Sequence, residues 1–130
     1  MKVLKYFFFF ILFCFLALCL RPVPTVTAKN VRSHTGVVRG ISEGGVKDAV
    51  FHLEYDEHLY YINRGLENKF KLENLKELLI GKEVTFIYAE HWTPLDWTNK
   101  STHIAKLKLG DEILYDEING NDKSNLGYTN

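Results

Sequence analysis

The chain has 130 residues, room for one domain, and its 16 basic residues balance 16 acidic ones. The balance hides a split: Lys2, Lys5 and Arg21 are the only charges in residues 1–28, which leaves 13 basic residues against 16 acidic in the remainder. That weak acidity argues against a sequence-independent nucleic-acid binder, whose affinity comes from Lys and Arg on phosphates, so nucleic acid is not expected as a partner.

The N-terminus carries the most specific signal. Residues 6–20, starting at Tyr6 and ending at Leu20, hold no charge, and seven of them are aromatic. Lys2 and Lys5 precede this run. A basic start and a short apolar core are the layout of a secretory signal. With Val3, Leu4 and a snorkelling Lys5 included, the run approaches the roughly 17–25 residues a spanning helix needs. Residues 1–28 are therefore expected to be a signal peptide or a membrane anchor. The excess of basic residues before the run places the domain outside the cytoplasm, secreted or held by a single membrane pass. Val26-Thr27-Ala28 has short residues where a signal peptidase reads, which marks Lys29 as a possible mature start. Pro22 and Pro24 make the following segment an extended linker. Cys14 and Cys19 both lie in the apolar run, so the rest of the chain has no disulfide and no thiolate metal site.

The folded part is expected over residues 29–117. Residues 35–41 are β-branched, with Gly36 and Gly40 marking a bulge or bend. Residues 50–55 alternate, with Phe51, Leu53 and Tyr55 on one side and His52 and Glu54 on the other. Asp56-Glu57-His58 reads as a hairpin tip, and residues 59–63 as the returning strand with Tyr60 and Ile62 inward. Leu72, Leu75, Leu78 and Leu79 recur at helical spacing and predict one helix over residues 72–80, stopped at Gly81. Residues 83–88 and 103–109 alternate again as strands. Gly110-Asp111 is a tight turn to a last strand through Ile113 and Tyr115. The polar residues 118–130 read as a disordered tail.

Between the last two long strands, residues 89–97 gather both tryptophans of the chain, a histidine, two carboxylates and a proline. Exposed aromatics on a loop held between strands are a candidate binding surface, and Trp92, Trp97, His91 and Asp96 are its candidate residues. Trp92 and Leu95 are expected to close the barrel end, leaving the other tryptophan partly exposed. A histidine beside a carboxylate can act as a general base, so His91, Asp96 and His103 form an alternative, catalytic cluster. No nucleophile stands at a recognisable spacing and no phosphate-binding glycine loop occurs, so no catalytic residue is assigned. His52, Glu54, Asp56 and His58 alternate as nitrogen and oxygen ligands would. The chain is expected to turn at Asp56, which takes them off a shared face, so no metal and no cofactor is expected.

Three strands, a helix and two more strands, with a glycine-marked first strand and a loop-rich link before the fifth, resemble the OB-fold, a five-stranded Greek-key barrel. The element order is also similar to that of small exported OB-like domains of bacteria. The resemblance implies a mainly β fold with one helix, ordered β-β-β-α-β-β, behind the N-terminal hydrophobic helix. It also implies that residues 42–48, the His52/Glu54 face and residues 90–102 are the usual ligand positions. The functional expectation is a non-catalytic, exported or membrane-tethered module that binds a protein, peptide or envelope glycan. The alternative is a small exported hydrolase or metal-dependent enzyme.

Overall fold

The computed structural model describes residues 1–119. Helix α1 spans Lys2–Cys19, with none of its residues buried. At 18 residues it is about 27 Å long, close to the roughly 30 Å hydrocarbon core of a bilayer. It is long and apolar enough to cross a membrane or to act as a signal sequence.

The rest is mainly β. Strand β1 (Val31–Gly44) is followed by β2 (Asp48–Leu53), β3 (Leu59–Ile62), the short helix α2 (Gly65–Asn68) and helix α3 (Leu72–Leu79). Strand β4 (Glu83–Ala89) leads to a 3-10 turn (Pro94–Asp96), and then β5 (Ser101–His103), β6 (Lys106–Leu109) and β7 (Glu112–Asp116) complete the fold. Seven strands form one mixed sheet in the order β5-β3-β2-β1-β4-β6-β7. All neighbours are antiparallel except β3 and β5.

The long β1 organises this sheet. Its first half, Val31 to Val37, pairs with β4, and its second half pairs with β2. The register shifts between Val38 and Gly40, and a bulge at that point bends the strand. Helix α3 docks against the bend. The Gly81 N–H donates to the Val38 carbonyl at 2.8 Å, and the Val38 N–H donates to the Lys82 carbonyl at 3.0 Å. The helix ends at Ile80, whose backbone is already extended, and Gly81, with φ +80, takes the third position of the following turn, closed by the Lys82 N–H on the Leu79 carbonyl at 3.0 Å, where a positive φ favours glycine. Leu75 and Leu79 are buried beneath α3, and Leu72 and Leu78 pack at its margin. At the other end of the helical pair, a Cβ on the buried Gly65 would lie 3.1 Å from the Cβ of Ala49 and the Cγ2 of Ile62. A side chain here would press on both strands, so glycine suits this close approach of α2 to β2 and β3.

The core is built from the inward sides of these strands, with Val38, Phe51, Leu53, Ile62, Val84, Phe86, Leu107 and Leu114 all essentially inaccessible. At its centre Phe86 stacks on Tyr60 at 4.8 Å and tilts against Phe51 at 5.4 Å. At the sheet end the buried Asp116 holds Lys106 Nζ at 3.0 Å. Asp116 also accepts hydrogen bonds from the backbone of Ile118 and Asn119 and from the Asn119 side chain.

Several expectations change. The hydrogen-bonding order is an open seven-stranded mixed sheet, not a closed five-stranded barrel. The strand expected over residues 103–109 is divided because the chain changes partner inside it. The Ile104 N–H donates to Tyr61 on β3, and the next N–H, of Ala105, donates to Ile87 on β4. A second helix, α2, adds to the single one expected. Tyr55 does not continue the inward face of β2: the strand ends at Leu53, and Tyr55 takes φ +57 and is fully exposed. Of the expected polar tail, residues 120–130 lie outside the described residues.

Candidate functional site

The β4–β5 loop is shaped by its own polar residues. Thr93 accepts the Asp96 N–H through its side chain, and Pro94 follows at the first position of the 3-10 turn, where its missing N–H costs nothing. The two carboxylate oxygens of Asp96 accept the N–H groups of Lys100 (3.1 Å) and Ser101 (2.9 Å). The carboxylate therefore folds the loop back on itself. Trp92 and Trp97 meet edge to face, with ring centroids 6.3 Å apart and planes at 63°. Neither packs as a plug. Trp92 is 49 %, Leu95 75 % and Trp97 78 % exposed. The linker is stitched to the same end of the sheet. Asn30 caps Thr27 through its side chain and accepts the Glu90 N–H on its carbonyl at 2.9 Å.

Beside this loop a cleft of about 180 Å³ opens between the ends of β3, β4 and β5. His58 and Tyr61 line one side, Tyr88 and His91 another, and Thr102 and His103 a third. The Arg32–Glu90 ion pair, 2.7 Å long, stands at the rim. His58 Nε2 and the Thr102 hydroxyl share a hydrogen bond. His103 meets Glu117 through Nε2 at 2.7 Å and packs edge-on against Tyr61. Burial lowers the pKa of His58, against the nearby Asp56 and Asp96, which act to raise it. Burial and, after it, Arg21 lower that of His91. Both imidazoles therefore favour the neutral form at pH 7; one ring nitrogen of His58 is engaged by Thr102, and a neutral imidazole offers one donor and one acceptor in all.

Behind the cleft wall Asp56 gathers three donors. It accepts the His58 N–H at 2.8 Å and the Tyr60 hydroxyl at 3.2 Å, and stands 3.2 Å from His34 Nε2. Burial, followed by the Asp56 charge, raises the Tyr60 pKa, so the phenol remains a donor across the physiological range. His34 stacks on Tyr60 at 5.5 Å. This network fixes the turn between β2 and β3, and with it the entry of His58 into the cleft.

Of the four residues expected to bind, His91 lines the cleft and the two tryptophans stand exposed on the loop beside it. Asp96 is committed to the loop backbone. Of the alternative catalytic cluster, His91 and His103 share the cleft, while the carboxylate against His103 is Glu117. No local signal marked Glu117: counting back from the Gly110-Asp111 turn pairs Lys106 with Tyr115, and only a register shift between Leu107 and Lys108 pairs it with Asp116 instead and carries the next residue to His103. The alternating His52, Glu54, Asp56 and His58 do not converge, since His52 instead bonds the Ser42 hydroxyl at 2.9 Å. Among the described residues no group of three His, Cys, Asp or Glu could hold a metal ion. No family model, curated protein or solved structure matches the chain.

Proposed function

We propose that this chain is a membrane-tethered, non-catalytic OB-like module on the outer side of a membrane, binding a peptide or an envelope glycan in the cleft beside the β4–β5 loop. The observation that carries the reading is the lining of that cleft. Tyrosine rings supply apolar walls, and neutral imidazoles and hydroxyls supply donors and acceptors, the mixture that small polar-ligand sites use. The OB-like part of the reading treats β5 and β6 as one strand bent at Ile104 and Ala105. Its support is the parallel β3–β5 pairing, the sharing of β1 between β2 and β4, and a helix before β4. Tethering, as opposed to free export, is supported by the contact of α1 with the 3-10 turn and by linker residues Val23 to Val26, which line a cavity together with Ala89, His103 and Ala105.

The test is calorimetric titration of the full chain in detergent micelles with soluble cell-wall glycan fragments and with short unstructured peptides. One class is expected to bind. His91→Ala is expected to weaken that binding about fivefold to tenfold, the loss of one hydrogen bond of about 1 kcal/mol. Absence of binding by both classes to a folded chain would remove the proposal.

A further inference from the structure

The two tryptophans do not line the cleft, and Trp92 is half exposed and Trp97 largely so. They need another occupant. Three observations point to the same one. First, Trp92, Leu95 and Trp97 form the most exposed apolar cluster of the domain outside α1 and the linker, and the two indoles meet edge to face. Second, the loop beneath them shows little bare charge, because Asp96 is occupied by the N–H groups of Lys100 and Ser101. The neighbouring Lys100 stands 3.9 Å from the Glu57 carboxylate, and Arg21 is close enough to act on His91. Third, helix α1 touches the 3-10 turn that carries Leu95. The linker between α1 and β1 is held to this end of the sheet through Asn30 and Glu90. The tryptophan loop therefore lies beside α1.

Tryptophan is enriched at membrane–water interfaces because its ring is apolar and its N–H still finds a polar partner there. We infer that Trp92, Leu95 and Trp97 dock into the interfacial layer of the bilayer that α1 spans, a second membrane contact which sets the orientation of the domain and holds its cleft close to the membrane surface. This inference rests on the tethered reading of α1. It assigns the tryptophans to lipid and leaves the ligand to the cleft. Two contacts, one spanning and one interfacial, would fix the domain where the linker alone would let it tumble.

Both tryptophans of the chain are in this loop, so tryptophan emission reports on it without labelling. The full chain is reconstituted into phosphatidylcholine vesicles, and its emission is read with lipids brominated near the headgroup end or near the tail end of the acyl chain. The expected result is a blue-shifted emission, quenched more strongly by shallow than by deep bromines and protected from aqueous iodide. The variants W92F and W97F assign each ring. Leu95→Asp changes a position that is 75 % exposed and outside the core, so the fold survives, and the lipid quenching is expected to fall with it. Vesicle flotation separates the two layers of the argument. A chain that floats while its tryptophans are quenched by iodide and not by brominated lipid overturns the docking alone. Lipid quenching that is unchanged in Leu95→Asp also overturns it, since the contact would then belong to α1. A chain that does not float overturns the tethered reading and the docking with it.

Discussion

Phe86→Ala is expected to destabilise the folded domain by about 3–5 kcal/mol, the range for truncating a buried aromatic. Phe86 is inaccessible to solvent and is the ring on which Tyr60 and Phe51 both pack. Its loss removes the transfer term and leaves a cavity that strands β2, β3 and β4 cannot close without breaking register. Domains of this size have a total stability of about 5–15 kcal/mol, so the variant approaches global unfolding. Thermal unfolding followed by near-ultraviolet circular dichroism should show a midpoint lowered by roughly 15–30 °C. The damage reaches the candidate site as well. Tyr60 is held between Phe86 and Asp56, and Asp56 positions His58 at the cleft. A midpoint shift of only a few degrees would mean that the centre of the core lies elsewhere.

Lys106→Ala is expected to cost about 3 kcal/mol, at the low end for a broken buried ion pair. The substitution leaves the Asp116 carboxylate, only 2 % exposed, without its cation. The hydrogen bonds from Ile118 and Asn119 remain, which is why the loss stays below the upper values. The pH dependence has a definite sign. Burial alone would raise the Asp116 pKa, but the hydrogen bonds from Asn119 and Lys106 outweigh it and hold the carboxyl below its ordinary value. A carboxyl depressed in the folded state stabilises the fold above its unfolded pKa, and that stabilisation is lost as pH falls through the folded one. The gap between wild type and Lys106→Ala in urea denaturation should therefore be full near pH 7 and shrink below about pH 4. A gap independent of pH would show that Lys106 acts through packing of its aliphatic stem instead.

The sequence showed the local elements well and the long-range ones poorly. Alternation at Val84, Phe86 and Tyr88 and the leucine spacing of α3 are read from neighbours along the chain, and both hold in the structure. Gly40 marked the bend in β1, whereas Gly36 lies in regular register opposite Val84, and the strand proved longer at both ends because its two halves find different partners. The change of partner at Ile104 and Ala105 has no local signature: both sides of the break are apolar, and only the positions of β3 and β4 decide it. Tyr55 misled for a similar reason. Alternation placed it inward, but β2 ends where its pairing partners end, and the next residues turn over Asp56. In the loop, residue types indicated a surface without stating which side chains face it. Asp96 looked like a ligand and is a loop brace. Trp92 looked like a plug, yet half of it stays exposed. Packing of that kind depends on whether a hydrophobic wall exists within reach, and here α1 touches the 3-10 turn of the loop.

That dependence on α1 makes its fate the central question. The direct measurement is the intact mass of the protein recovered from the membranes of cells that express it. Tethering requires a chain that retains residues 1–28, so that α1 and the tryptophan loop occupy the same bilayer. A mature protein beginning at Lys29, recovered outside the membrane fraction, would contradict the account.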